Sequence, residues 1–234
     1  MTNIVNVQKL TSAKVGNYPF SHFVINSVLD SAMVSKIFAD IYTLEKSEPT
    51  SIFKSNFGEK KEWKVFPADL VHLNQLLDYL SSQEFINVLQ ANFGISKEIK
   101  LYADKSYDGG GYVISPPGSY LSYHADFNFS SKAEKYRVLN VLLYMNENYE
   151  NHQGGQLHLL DPESKTVETI INPEANTLLA FFTDDVSFHG VSRNRPGFFR
   201  RSFNLYYYAD QPISPNQGAD PHRTIWLDAD IHTH

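Results

Sequence analysis

The first third of the chain spaces its apolar residues as helices do. Met33, Ile37 and Ile41 recur at helical intervals over 32–42, after a polar start at Asp30-Ser31, and predict one helix. A second helical pattern covers 68–93 and predicts two helices that separate near Ser81-Ser82. The run 20–25 predicts a short strand, and the polar, charged stretch 45–62 predicts a loop.

Beyond Gly94 the pattern changes to short runs of β-branched and aromatic residues separated by Pro, Gly and Asn turns. This alternation is typical of an antiparallel sandwich or barrel, so the chain as a whole predicts an α+β fold. The tail 211–234 is rich in Pro and Asp and predicts irregular structure, and Asp184-Asp185 predicts a solvated turn. The predicted strands are 99–102, 111–114, 120–124, 137–145, 156–160, 166–171, 177–182, 187–191 and 200–208.

Composition narrows the function classes. The 234 residues contain no cysteine, which excludes disulfides, thiolate metal ligands and cysteine nucleophiles. A formal net charge of −6 disfavours general nucleic-acid binding. Neither a signal-peptide pattern nor a membrane-length apolar run is visible, so we expect a cytoplasmic protein with no membrane partner.

The most informative pair is His124 and Asp126. Residues two apart on a strand face the same side, so both side chains can reach one metal ion. Taken alone the pair is weak evidence, because a chain with 9 His can readily contain such a spacing by chance. His189 follows a plausible buried strand, and a His in that position is more often a packed or capping residue than a metal ligand.

Two strands carry polar residues on one face only. Over 200–207, Arg200 and Ser202 share a face with Asn204, whereas Arg201 shares the apolar face. Over 137–146, Asn140 and Tyr144 face away from a wholly apolar layer. Such polar faces suit either a pocket wall, where an Arg can grip a carboxylate, or an exposed strand surface.

In this order the motifs resemble the 2-oxoglutarate- and Fe(II)-dependent oxygenases of the prolyl 4-hydroxylase-like family. That family has an H-x-D motif, a distal His and a basic residue roughly ten positions later, matched here by His124, Asp126, His189 and Arg200. LNVLLYMN at 139–146, GGQLHL at 154–159, RRSFNLYYY at 200–208 and PFSHFVI at 19–25 are similar to further family motifs. The resemblance covers roughly residues 18–210.

The resemblance implies a double-stranded β-helix, a jelly-roll core with N-terminal helices packed on one sheet. It divides a single oxygenase domain, 1–234, into a mixed helical part at 1–97, the jelly-roll core at 98–210 and the tail at 211–234. It implies Fe(II), 2-oxoglutarate and O₂ as cofactor and cosubstrates, with ascorbate as a candidate reductant. An octahedral ion held by two His and one carboxylate keeps three positions open for them.

Residue roles also follow from the resemblance. His124, Asp126 and His189 match the catalytic metal ligands, and Tyr144, Arg200 and Ser202 match residues around the distal carboxylate of 2-oxoglutarate. Strand facing favours Arg200 over Arg201 as the carboxylate anchor. The carboxylate of Asp126 also argues against halogenation, since halogenating relatives carry a small residue at that position.

Three other functions stay open at the level of sequence. A cupin-type metal enzyme would work without a 2-oxo acid, and a non-catalytic jelly roll would bind neither iron nor 2-oxoglutarate. A nucleic-acid demethylase is disfavoured by the net charge of −6. Within the oxygenase prediction, the substrate is a small molecule, a peptide or a protein, and nothing in the sequence selects proline. The sequence leaves the oligomeric state open.

Overall fold

A computed structural model describes residues 4–55 and 58–227. Its helices are α1 (Val7–Thr11), α2 (Ser31–Leu44), α3 (Val71–Leu80) and α4 (Gln83–Phe93), followed by a 3₁₀ turn at Asn151–Gln153. The split near 81–82 is confirmed, because the side chain of Ser82 accepts the Phe85 N–H and starts a new helix. Within these described ranges, no helix combines the length and apolarity needed to cross a bilayer.

The strands are β1 (His22–Asn26), β2 (Ser51–Ser55), β3 (Gly58–Trp63), β4 (Leu101–Ala103), β5 (Gly111–Ser115), β6 (Leu121–Ala125), β7 (Phe129–Ser130), β8 (Lys135–Tyr144), β9 (Leu157–Leu160), β10 (Val167–Ile171), β11 (Thr177–Phe182), β12 (His189–Val191), β13 (Arg200–Ala209) and β14 (Ile225–Trp226). Each strand predicted beyond Gly94 has a counterpart here, whereas the two-residue strands β7 and β14 were not predicted. Along the sheet the main path runs β1-β11-β8-β13-β5-β3-β6-β12-β9-β10, and each of the strand pairings is antiparallel in the described part of the chain.

Strand β8 divides the interior into two layers. Its residues Leu139, Val141 and Leu143 pack with the helices in the larger core, whereas Leu142 and Tyr144 point to the opposite side, into the roll. This strict alternation follows from the period of two along a strand. Asn140 and Tyr144 therefore face the roll interior, which is the pocket-wall alternative of the two that the sequence left open.

The prediction of a loop over 45–62 is wrong. Strands β2 and β3 form a hairpin there, and β3 pairs with β5 at Lys61, Glu62 and Trp63. Residues along β2 are half-buried or exposed, so this strand shows no apolar alternation. Pairing with a distant strand decides the conformation here, and local sequence does not encode that pairing.

Two further expectations about surface segments are corrected. The tail 211–234 contains a short strand, β14, which pairs with β6, while its last seven residues lie outside the described ranges. Asp184 is only 4% exposed and accepts hydrogen bonds from Ser214 and Val186, so Asp184-Asp185 is not a simple solvated turn.

Truncating the buried side chain of Leu143 on β8 tests whether this face of the strand belongs to the larger core. Leu143 is 0% exposed and packs between strand and helices, so Leu143→Ala should lower the free energy of unfolding by about 2–5 kcal/mol. The matched control Ile170→Ala, at a side chain 60% exposed, should change it by less than about 0.5 kcal/mol. Urea denaturation measures both values, and equal losses at the two sites would contradict the layer assignment.

Candidate active site

Strand pairing brings the three predicted ligands together. His124 lies on β6, Asp126 follows its last residue, and His189 begins β12 directly opposite His124 in the antiparallel register. One ligand atom from each side chain lies within 4.8 Å of the others, and all three residues are buried. The period of two along β6 and the cross-strand register together produce the cluster.

Both imidazole rings are oriented by backbone carbonyls. Nδ1 of His124 lies 2.7 Å from the Ser122 carbonyl, and Nδ1 of His189 lies 2.9 Å from the Ser187 carbonyl. A carbonyl only accepts, so Nδ1 carries the proton in each ring and Nε2 offers its lone pair. Each Nε2 is 3.5 Å from an oxygen of Asp126, so the free lone pairs converge on the carboxylate.

The carboxylate of Asp126 is held by one of its two oxygens. Oδ2 accepts a 2.7 Å hydrogen bond from the Asn140 amide and a 3.0 Å contact from Nη2 of Arg137. Nε of Arg137 donates in turn to Oδ1 of Asn140 at 2.9 Å. Asp126, Asn140 and Arg137 are thus each bonded to the other two. Because these bonds occupy Oδ2 of Asp126, Oδ1 is the oxygen available to a metal.

Electrostatics keep the cluster in the ligand-competent charge state. Burial raises the pKa of Asp126, but Arg137 and the two imidazoles outweigh it and hold that pKa well below its usual range. Burial, and then the neighbouring His124, lower the pKa of His189 to about 4. At neutral pH the cluster therefore presents a carboxylate and a neutral His189 imidazole, the forms that bind divalent metals.

Arg200 extends into the roll beside Tyr144. Cross-strand pairing places Ser202 opposite Tyr144, and Nε of Arg200 donates to the Gly155 carbonyl at 2.9 Å. Nη1 donates to Oγ of Ser202 at 3.3 Å, while Nη2 of Arg200 and the hydroxyl of Tyr144 are buried without a hydrogen-bond partner. Burial raises the pKa of Tyr144, so its hydroxyl stays a donor.

Two buried donors with no acceptor are costly unless a ligand supplies one. An anion between Nη2 of Arg200 and the hydroxyl of Tyr144 would satisfy both. The site therefore fits a carboxylate at this end and a divalent metal at the His-Asp-His end.

The neighbouring Arg201 has a structural partner instead. Its Nε and Nη2 reach the two oxygens of Glu45 at 2.8 and 3.2 Å, and the Tyr112 hydroxyl donates to the same carboxylate at 2.5 Å. Glu45 is the C-cap residue of α2, so this pair fastens the helix to β13. The opposite facing of Arg200 and Arg201 agrees with the period-two prediction.

One cavity of about 470 Å³ joins the two ends. That volume is within the range of small-molecule sites. Sequence reasoning did not single out Arg137 or Trp226 as site residues, and it placed Asn140 only on a pocket wall. The cavity is lined by His124, Asp126, His189, Arg200, Arg137, Asn140, Phe127, Tyr206, Thr224 and Trp226, among others.

Removing the Asn140 amide should weaken metal binding. Asn140→Ala takes away the donor that directs Asp126, and we expect the affinity for Co(II) or Fe(II) to fall by about 10–100-fold. Isothermal titration under anaerobic conditions measures it. Asn146→Ala is the matched control, because that buried amide binds the Pro173 and Arg201 carbonyls rather than Asp126. A similar loss of affinity in both variants would contradict the role of Asn140.

Comparison with known families supports this chemistry. Residues 107–208 match the family model described as the 2OG-Fe(II) oxygenase superfamily. The matched segment includes the whole cluster and the Arg200–Tyr144 end. No curated protein matches the chain in sequence.

Solved structures share the fold across most of the chain. A prolyl-4-hydroxylase from Pseudomonas putida is 21% identical, with a TM-score of 0.58, covering 87% of this chain and 95% of that one. A prolyl hydroxylase from Trichoplax adhaerens, in complex with a hypoxia inducible factor peptide fragment, is 20% identical, with a TM-score of 0.59 and coverages of 80% and 83%. The α-ketoglutarate-dependent epimerase SnoN from nogalamycin biosynthesis is 16% identical, with a TM-score of 0.53 and coverages of 89% and 91%.

These findings agree with one another. The fold is the double-stranded β-helix of these oxygenases, and the site combines a His-Asp-His metal-binding group with buried donors for an anion. Residues 107–208 are thus similar to the 2OG-Fe(II) oxygenase superfamily, and the matched segment together with the His-Asp-His group supports an oxygenase that uses Fe(II) and 2-oxoglutarate.

Proposed function

We propose that His124, Asp126 and His189 hold the Fe(II) ion, through Nε2 of each imidazole and Oδ1 of the carboxylate. The observation that carries this assignment is the convergence of their ligand atoms within 4.8 Å at the wall of one cavity. Two His and one carboxylate form the facial set that suits non-haem iron and keeps positions open for cosubstrates.

Arg200 and Tyr144 are proposed to bind the distal carboxylate of 2-oxoglutarate. Their unpaired, buried Nη2 and hydroxyl supply two donors for it, and the small side chain of Ser202 leaves room beside them. Arg200 is held in place by Gly155 and Ser202, so the guanidinium meets the carboxylate with little loss of conformational freedom. Arg201 does not compete for this role, because Nε and Nη2 of its guanidinium already bind the Glu45 carboxylate.

The proposed reaction is hydroxylation of an unactivated C–H bond. When bound, Fe(II) supplies the oxidative chemistry in which O₂ and 2-oxoglutarate yield succinate and CO₂, and one oxygen atom enters the substrate C–H bond. The chain itself holds the metal through neutral imidazoles, fixes the cosubstrate at Arg200, and excludes water with apolar walls such as Leu142 and Phe181.

For the substrate we propose a small molecule or a single side chain of a peptide. The cavity of about 470 Å³ has the size of a small-molecule site. Its lining includes Ile52 and Phe53 of the β2–β3 hairpin, which are 62% and 37% exposed. Structures of this fold include a peptide complex and an epimerase of nogalamycin biosynthesis, so the fold is compatible with either class.

Anaerobic spectroscopy tests the cosubstrate assignment. Adding Fe(II) and then 2-oxoglutarate to metal-free protein should produce the weak visible charge-transfer band of a chelated 2-oxo acid. Asp126→Ala should abolish the band, and Arg200→Ala should raise the 2-oxoglutarate concentration needed for it by about 10-fold or more. Arg201→Ala is the matched control and should retain the band, while losing stability because the partly buried carboxylate of Glu45 loses the positive charge of its ion-pair partner.

The other outcomes are equally informative. Iron binding without a band would favour a cupin-type metal enzyme, and absence of iron binding would favour a non-catalytic jelly roll. If Arg201→Ala lost the band while Arg200→Ala kept it, the anchor assignment would be reversed. Substrate-stimulated succinate release, measured over panels of small molecules and peptides, then identifies the substrate class.

A further inference from the structure

Residues 211–227, here called the C-terminal strap, are fastened to the segment that follows Asp126. The side chain of Asn128 donates to the carbonyls of Gly218 and Asp220, both at 3.0 Å. Its oxygen accepts the backbone N–H of His222 at 2.8 Å. Asn128 is 1% exposed, so one buried amide with three bonds ties the strap to this ligand-bearing segment.

The strap is also fastened to the segment that precedes His189. Gly218 donates its backbone N–H to Oδ2 of Asp185 at 2.9 Å, and Nε2 of His222 lies 2.9 Å from Oδ1 of the same carboxylate. Oγ of Ser214 donates to Asp184 at 2.7 Å. The strap therefore bridges the two stretches of chain that carry the metal ligands.

Near its end, the strap packs the indole of Trp226 against the imidazole of His124, a proposed metal ligand. Strand β14 pairs with β6 so that Trp226 lies opposite His124, and their ring centroids are 4.8 Å apart at an interplanar angle of 37°. The His189 ring is 4.5 Å from His124, so the His124 imidazole has a ring neighbour in both Trp226 and His189. Thr224 and Trp226 also line the cavity.

These contacts restrict the one motion that the Ser122 hydrogen bond leaves open. A bond from Nδ1 fixes the direction of the imidazole in its own plane, whereas tilt is limited by what packs against the ring. The large indole packs against this ring and lines the cavity beside it.

We propose that Trp226 is a positioning residue of the metal centre, and that the C-terminal strap closes the cavity beside His124. This inference rests on the proposed metal site. It predicts that the strap slows exchange of the metal with solvent, and that the indole lies close enough to a bound metal to report on it.

Tryptophan fluorescence gives a readout independent of turnover. The chain has 2 Trp, and Trp63 is buried against Tyr112 and does not line the cavity. Titration with Co(II), a paramagnetic quencher, should reduce the emission of the wild-type protein saturably. In Trp226→Phe the remaining Trp63 emission should not change. Quenching of equal size in Trp226→Phe would overturn the placement of the indole.

Metal release tests the positioning role. Protein loaded with Co(II) is mixed with excess EDTA, and the absorbance of the bound ion is followed. We expect Trp226→Ala to release the ion about 10-fold faster than the wild type, as loss of a residue that supports a ligand does. Trp226→Phe keeps an aromatic face on His124 and should stay close to the wild-type rate. Thermal unfolding of both variants separates local effects from global ones.

The outcomes distinguish this inference from the proposed function. If wild-type protein binds no Co(II) or Fe(II), the metal site itself fails. If it binds metal, but Trp226→Ala releases it at the wild-type rate, the metal site stands and the positioning role of Trp226 is overturned. A stability loss in Trp226→Ala with an unchanged release rate would likewise show a merely structural residue.

Discussion

The antiparallel pairing of β6 with β12 is the constraint on which the site depends. It places His189 opposite His124, and the period of two along β6 adds Asp126 to the same side. A slip of one residue in either strand would turn a ligand to the other face. The pairing is supported on both sides, because β9 pairs with the outer edge of β12 and β14 pairs with β6.

The buried charges around Asp126 orient a proposed metal ligand, so they are not explained by stability alone. Burying the Asp126 carboxylate removes it from water, and the attraction to Arg137 offsets only part of that desolvation free energy. Arg137 also stacks on Tyr206, with Cζ 3.5 Å from the ring centroid, and its Nε is bound by Asn140. The guanidinium is thus held rigidly, and so is the carboxylate it contacts. Oδ2 of Asp126 is bound by Asn140 and Arg137, whereas Oδ1 lies 3.5 Å from Nε2 of His124.

The adjacent residues Arg200 and Arg201 on β13 have different partners because their side chains face opposite sides of the sheet. Arg201 points to the helical layer and joins Glu45 at the end of α2, which anchors the strand to the rest of the fold. Arg200 points into the roll, where its Nη2 has no protein partner. The Arg201–Glu45 pair holds the strand in position, and the strand in turn places Arg200, the proposed 2-oxoglutarate anchor, at the cavity.

Local sequence patterns were sufficient to predict many of the helices and strands of this protein. The strands beyond Gly94, the helix break at Ser82 and the facing of Arg200 follow from periodicity and capping, which depend on residues close in sequence. The candidate ligand set followed from the resemblance of several motifs to one oxygenase family, since the His-x-Asp spacing alone is weak evidence. These features need no knowledge of which segments meet in space, so the sequence alone determined them.

Features that depend on distant pairing were decided only by the tertiary structure. The β2–β3 hairpin lacks apolar alternation and exists because β3 pairs with β5. The burial of Asp184 depends on Ser214, thirty residues later, since two aspartates at a turn look the same in sequence whether exposed or bonded. Trp226 meets His124 through a two-residue strand in a tail without periodicity. Register between remote strands is a property of the folded chain, and it determined which residues surround the proposed metal ligands.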